Sequence, residues 1–392
     1  MFSSRTNWNL TPNELSLLAA EKRKRGETIL DLTESNPTRC GFLLEPPYLQ
    51  SLSTPRAALY DPQPRGLASA RQAIAAWYAG RGTIVDPENV FLTSGTSEAY
   101  SHIFRLLCNA GDSILVPKPS YPLFDYLCKL HDVEAIHYHL RYDGEWHIDV
   151  ESLHDAVSKS TRAILLVHPN NPTGSYVTND ERVKIVDFAR RHELAVIVDE
   201  VFLDFALSTN ERRSGSFAAE RGVLTFSLNG ISKLLALPQM KLAWIAVSGS
   251  EASSKEAIGR LEVIADTYLS VGTPIQLALP ELLKAGPSIT EKITARIRQN
   301  YRHIRSMIGE SSLVSLLTTE GGWNAIVRLP NMMSDEAWAL RLLKDCNVLV
   351  HPGHFFEISR NVCVVISLLP QESVFSEGIA GILQAVDTLS KH

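Results

Sequence analysis

Four short segments of this chain carry side chains suited to holding an anion, a ring nitrogen and an aldehyde. Thr93-Ser94-Gly95-Thr96-Ser97-Glu98-Ala99 follows an apolar run and opens a helical one. Gly95 lets the backbone approach an anion, and the free amides of Thr96 and Ser97 point at it, making a plausible phosphate cradle. The same pattern also describes an ordinary strand-to-helix turn with a Ser/Thr cap. In His168-Pro169-Asn170-Asn171-Pro172-Thr173-Gly174, two prolines and a glycine rigidify a loop that presents an amide side chain. Asp199 and Glu200 end a further apolar run, where a carboxylate can keep a ring nitrogen protonated or simply cap a helix. Ser232-Lys233 follows the next run. Most lysines are solvated, but one beside a phosphate cradle and an acid can form an imine with an aldehyde cofactor. Burial and cationic neighbours lower the pKa of such an amine toward nucleophilicity.

These residues need elements to position them. Short apolar runs alternate with longer amphipathic stretches: Val90-Phe91-Leu92-Thr93, Ser113-Ile114-Leu115-Val116, Ala163-Ile164-Leu165-Leu166-Val167 and Leu194-Ala195-Val196-Ile197-Val198. Val223-Leu224-Thr225-Phe226-Ser227 and Leu242-Ala243-Trp244-Ile245-Ala246-Val247 continue the series. Such runs suit strands buried on both faces of a mainly parallel sheet, with helices as crossovers. The expected fold is α/β: a large doubly wound domain that binds ligands where loops leave the carboxyl ends of strands. A long helix is expected within residues 252–269. Beyond it, helical residues through 283–308 and apolar runs at 325–329, 348–350 and 363–367 predict a smaller α+β domain. The expected division is an N-terminal segment, 1–40, associated with the small domain, a large domain at 41–280 and a small C-terminal domain at 281–392.

Composition narrows the function classes. With 392 residues, 45% hydrophobic, and a net charge of -5, the chain has no basic excess for nucleic acid or an anionic membrane. No apolar run of membrane-spanning length and no secretory signal is read, so the expected location is cytoplasmic. The five cysteines are scattered and never spaced as CxxC, which argues against a disulfide framework and a zinc site.

Taken in order, Tyr60-Asp61-Pro62-Gln63-Pro64-Arg65-Gly66, Thr93-Ser94-Gly95-Thr96, Pro119-Ser120-Tyr121-Pro122, Asn170-Asn171-Pro172-Thr173-Gly174, Asp199-Glu200 and Ser232-Lys233 resemble the fold type I, class I/II pyridoxal-phosphate aminotransferases. The resemblance covers almost the whole chain. It implies pyridoxal 5'-phosphate as cofactor, with Lys233 as the Schiff-base lysine and later the base that moves the substrate Cα proton. Asp199 is implied to pair with the pyridinium, Asn171 to bond the phenolic oxygen and Tyr121 to stack on the ring. Gly95, Thr96, Ser97 and Ser232 are implied to hold the phosphate. Tyr60 resembles a tyrosine that reaches the neighbouring subunit's phosphate, which implies a homodimer with shared sites. The implied reaction moves an amino group between an amino acid donor and a 2-oxo acid acceptor by a ping-pong cycle.

Three positions depart from the family pattern. Lys241 stands where an arginine usually meets the phosphate, keeping the charge without the two-pronged donor. Phe202 stands where a tyrosine would bond the phenolic oxygen, so the imine pKa is expected above the usual. Val365 stands where an arginine would clamp the substrate α-carboxylate. Arg360 is then the first candidate for that clamp, ahead of Arg39 and Arg65, and Asn36 is expected to contact the substrate with it. His351 and His354 either line the substrate pocket or serve as structural histidines. The missing arginine keeps two alternatives open: a pyridoxal-phosphate lyase, decarboxylase or racemase on the same fold, or an aminotransferase for an amine without an α-carboxylate. A non-catalytic regulator is disfavoured, because no basic helix-turn-helix segment is read.

Overall fold

The computed structural model describes residues 1–309, 313–358 and 361–390. Its centre is an eight-stranded sheet in the order Val90–Thr93, Ala243–Ser248, Thr225–Gly230, Ala195–Asp199, Thr161–Val167, Ser113–Lys118, Glu134–Tyr142 and Trp146–Ile148. The five strands from Thr225–Gly230 to Glu134–Tyr142 run parallel to one another. Ala243–Ser248 is antiparallel to both its neighbours, and Trp146–Ile148 closes the far edge antiparallel. The expected doubly wound, mainly parallel sheet is what forms.

The apolar runs form strands because both faces are covered. Leu165 and Ile197 pack with Ile103, Phe104 and Leu261 of the helices on one face. Ile164, Leu166, Val196 and Val198 pack with Ile185 and Phe188 on the other. Each fully buried aliphatic side chain of this kind contributes about 1.5–3 kcal/mol. Glu134–Tyr142 and Trp146–Ile148 were not among the expected strands. Only one of the nine positions of Glu134–Tyr142 is fully buried, so their edge strands lack the apolar run that marks the centre.

A second sheet of four antiparallel strands follows, in the order Ser315–Leu316, Asn324–Arg328, Cys363–Ser367 and His351–Pro352. The N-terminal strand Leu30–Asp31 pairs in parallel with Val348–Leu349. The expected helix at 252–269 forms as Glu251–Tyr268. Next comes the 36-residue helix Thr273–Ile308, which runs through Pro280 and Pro287 and across position 281. Its buried Ile289, Ile293, Ile297, Asn300, Ile304 and Ile308 recur every three or four residues, one face of a helix. Within that face, the Asn300 amide donates to the carbonyls of Leu368 and Pro370, 2.9 Å from each.

Asp199 and Glu200 alternate across the end of their strand. The Glu200 carboxylate is wholly buried on the far side from the cleft described below, accepting from the Phe217 N–H at 2.6 Å and the Ser216 hydroxyl at 2.7 Å. Burial pushes its pKa up to about 7, against the pull of those donors. A carboxyl whose folded pKa is raised stabilises the fold below its unfolded pKa, and that contribution is lost as pH rises toward 7. Glu200→Gln keeps the shape and one acceptor and cannot ionise. In urea titrations the variant should therefore gain on the wild type as pH rises from about 4.5 to 7, by up to about 3 kcal/mol; a gap that does not change with pH would contradict the burial assignment.

Candidate active site

The carboxyl ends of the parallel strands open on a cleft of about 900 Å³, part of it continuous with solvent. The large sheet and its loops line it with Thr96, Tyr100, Tyr121, Asn171, Asp199 and Lys233. Trp323, Asn324, His351 and Phe356 close it from the small sheet and its loops, while Thr33 and Ser35 come from the N-terminal segment.

Asp199 is the last residue of its strand and is 8% exposed. Its Oδ2 accepts from the Tyr100 hydroxyl at 2.7 Å and its Oδ1 from the Val201 N–H at 3.1 Å. Desolvation pushes this carboxyl up, while Tyr100, Val201 and the Lys233 charge pull it back. Tyr100 itself is driven well above the usual phenol range by burial and then by the Asp199 charge, so its hydroxyl keeps its proton and donates. Lys233 follows Gly230 on the single helical turn Ile231–Leu234. Its Nζ lies 5.1 Å from the centre of the Trp323 ring and 5.9 Å from that of Phe202. Desolvation lowers its pKa below the lysine range, and Asp199 restores part of the loss.

The helix Thr96–Leu107 starts at Gly95 with no side chain capping its first turn. The Glu98 and Ala99 amides take the Gly95 carbonyl. Those of Thr96 and Ser97 have no protein acceptor among the described residues. Glu98 ties the approach down, its Oε2 accepting from the Ser94 N–H and the Ser270 hydroxyl at 2.6 Å each. Lys241 brings its ammonium to this turn: a Cβ placed on Gly95 would lie 3.9 Å from Nζ. A bare helix start with a cation beside it suits a phosphate group.

Asn171 faces the cleft, and its Oδ1 accepts from Asn324 Nδ2 at 2.6 Å. Phe202 lines the same wall and, as phenylalanine, offers no donor. Val365 is fully buried among Leu317, Ile326, Phe356 and Cys363, and it pairs across the small sheet with His351. Burial lowers the pKa of His351, so a neutral imidazole faces the cleft. Of the other expected substrate contacts, Arg360 lies outside the described residues. Arg39 is exposed and paired with Glu34 at 3.4 Å, and Arg65 is engaged by Glu88 and Glu262; neither lines the cleft. Asn36 spends its Oδ1 on the Thr38 N–H and hydroxyl, and its neighbours Thr33 and Ser35 reach the cleft in its place. His354 is bonded to Asp335 at the surface. Ser232 sits half-buried beside Lys233, and Tyr60 is 82% exposed, away from this cleft.

Tyr100, Trp323 and Asn324 were not read from the sequence. A signal for Tyr100 existed: it stands one helical turn after Thr96, on the helix that leaves the cradle. Trp323 and Asn324 come from the small sheet, whose packing against the loops of the large one no local pattern encodes. The Trp323 indole N–H is buried and has no hydrogen-bond partner among the described residues.

The cleft at the ends of the parallel strands thus brings together a lysine of lowered pKa, a buried carboxylate and an uncapped helix start. The profile of the Aminotransferase class I and II family matches residues 46–374, and the chain belongs to that family. Its members are pyridoxal-phosphate-dependent, and this protein is an aminotransferase. The glutamate-pyruvate aminotransferase AlaA of Escherichia coli is 29% identical over 347 residues, 86% of this chain and 85% of that one. An alanine aminotransferase of Mycobacterium bovis is 26% identical over 86% of this chain and 81% of its own length. The crystal structure of an aminotransferase from Escherichia coli superposes with a TM-score of 0.88 at 27% identity, covering 99% of this chain and 98% of that one.

Removing the Tyr100 hydroxyl leaves a buried carboxylate one donor short, a loss of about 1.5–3 kcal/mol for a hydrogen bond to a charged group. Tyr100→Phe should lower the unfolding free energy of the cofactor-free protein by that amount at pH 8. Urea titration measures it, and wild-type stability at pH 8 would show that Asp199 does not depend on this bond.

Proposed function

We propose that the cleft binds pyridoxal 5'-phosphate and uses it to move an amino group from an α-amino acid to a 2-oxo acid, with Lys233 as the residue that forms the Schiff base. The observation that carries this reading is the amine of Lys233, held at lowered pKa beside the Trp323 and Phe202 rings and within reach of the Asp199 field. The residues present fit the cofactor at each of its polar groups. The Thr96 and Ser97 amides, Ser232 and the Lys241 ammonium suit the phosphate. Asp199, whose ionised form Tyr100, Val201 and Lys233 favour against desolvation, suits a protonated ring nitrogen. Asn171 suits the phenolic oxygen, and Tyr121 suits a ring face. Bound there, the cofactor supplies an electron sink for the bond at the substrate Cα. Lys233, once its amine is free, is placed to take and return the Cα proton, and its lowered pKa leaves more of it unprotonated at neutral pH.

The relatives named above act on alanine, glutamate and pyruvate by their names, which supports a small amino acid and its 2-oxo acid as the pair to test first. For the substrate carboxylate, Arg360 stays the proposed clamp, and among the described residues that line the cleft the neutral His351 ring offers a further N–H donor. The division into a large domain at 41–280 and a small one at 281–392, with 1–40 joining the latter, is likewise proposed, as is a cytoplasmic location. The exposed Tyr60 supports a homodimer in which each subunit completes its partner's phosphate site.

Purified holoenzyme given L-alanine or L-glutamate alone should convert its visible absorbance stoichiometrically to that of the amino form of the cofactor, whereas a lyase would regenerate the starting band. Lys233→Ala should lose both the visible band and nearly all turnover. After borohydride reduction, peptide mapping should find the pyridoxyl label on Lys233; a label on another lysine overturns the assignment. For the shared site, Tyr60→Ala and Lys233→Ala subunits that are each impaired alone should, after mixing and exchange, recover about one quarter of the intact sites. No recovery despite proven exchange would place Tyr60 outside the partner's site.

A further inference from the structure

We infer that Asn324 is a positioning residue for the cofactor's phenolic oxygen, acting by fixing which end of the Asn171 amide faces the cleft. The inference rests on the proposed role of Asn171 and deepens it. An ionised phenolic oxygen only accepts hydrogen bonds, so Asn171 can serve it only with its NH₂ group. Nothing in an asparagine side chain makes that choice, because the amide can rotate by half a turn and present its carbonyl. Here the choice is made from outside. Asn324 Nδ2 donates to Asn171 Oδ1 at 2.6 Å, which leaves the NH₂ end for the cleft. With its carbonyl occupied, the Asn171 amide pays about a hydrogen bond's worth to flip against an Asn324 that keeps its own orientation.

Two further features sharpen the dependence. Phe202, on the same wall and near Lys233, has no hydroxyl to act as a second donor, so the phenolic oxygen relies on Asn171 more heavily. The residue that does the positioning is also well anchored. Asn324 opens a strand of the small sheet, where it pairs with Ser367. The segment before it is fastened to the loop that carries Asn171. The Gly174 carbonyl accepts from the amides of Glu320 at 3.3 Å and Gly321 at 2.9 Å, and Glu320 accepts from the Tyr176 N–H at 3.1 Å and pairs with Arg213 at 3.2 Å. Gly174 has a φ of +70°, and a side chain on it would collide with Thr319 and the Gly321 carbonyl, so this contact is close backbone to backbone. Loss of the Asn324 amide therefore leaves the docking in place and removes only the bond that orients Asn171.

The readout is the pH titration of the visible absorbance of the holoenzyme, which follows the proton on the Lys233–cofactor imine. A donor to the phenolic oxygen holds charge that the imine proton would otherwise share, so losing that donor raises the titration midpoint. Asn324→Leu, which matches the size of asparagine without polar atoms, and the smaller Asn324→Ala should each raise the midpoint by about one pH unit. Asn171→Ala should raise it as well, and Asn171→Ala/Asn324→Ala should rise no further than Asn171→Ala alone, since both changes remove one interaction. Asn324→Gln, which keeps the donor, should return part of the shift. Midpoints unmoved in both Asn324 variants, with Asn171→Ala shifted, overturn this inference and leave the reading of Asn171 intact. Additive shifts overturn it too, as does a Trp323→Phe shift in a protein whose Asn324 variants are silent, which would make the unpaired indole N–H the second donor. If Asn171→Ala itself leaves the midpoint unmoved, the reading of Asn171 falls and this inference with it.

Discussion

A carboxylate placed at the end of a central strand, where both sheet faces are covered, is costly to keep ionised, and much of the cleft follows from meeting that cost. Asp199 has almost no water, so its charge must be held by Tyr100, the Val201 amide and the nearby Lys233 ammonium. The relation is mutual. Lys233 is pushed toward its neutral form by the same dry surroundings, and Asp199 keeps it from going further. In an effective dielectric well below that of water, one buried acid thus moderates the proton affinity that burial lowers in an amine on another loop. The sheet provides both the low dielectric and the fixed distance, because adjacent parallel strands deliver Asp199 and the approach to Lys233 side by side.

The end of the cleft proposed to hold a phosphate works by a different principle. There the backbone itself carries the partial charge: an uncapped helix start aims free amides outward, and Lys241 adds a point charge beside them. A lysine can do this where it need only supply charge, since the two amides already supply direction. On the proposed reading, that division lets Lys241 serve where the resemblance implies a guanidinium.

Much of this was legible in the sequence, for physical reasons that also say where legibility stops. The central strands announce themselves because burial on both faces demands unbroken apolar runs, and Ala195–Asp199 is the plainest case. Glu134–Tyr142 hides because a strand next to the sheet's edge, covered for only part of its length, need not be an apolar run. Gly95, Thr96, Asn171, Asp199 and Lys233 stand at the ends of readable strands and converge on one cleft. Tyr100, Trp323 and Asn324 were missed because their roles exist only once the helix of the cradle and the small sheet are packed against those ends. Asn36 spends its side-chain oxygen on the Thr38 N–H and hydroxyl, a local Asx turn that also holds the segment from which Thr33 and Ser35 reach the cleft. Val365 is buried and chargeless, and of the two histidines that the sequence leaves open as pocket or structural residues it is His351, the cross-strand neighbour of Val365, that faces the cleft.

The pair Asp199–Glu200 carries a warning for the enzymologist. Consecutive residues of a strand point to opposite sides, so the protein holds two buried acids one peptide apart, of which only the first touches the reaction cleft. The second is pushed up to about 7, and the Asp199 charge adds to the burial that makes it hard to ionise. A rate profile with an inflection close to pH 7 therefore need not report the imine, the attacking amine or the substrate. It can report a silent proton behind the sheet, felt at the cleft through a single peptide unit, and only a profile repeated with that acid neutralised separates the two.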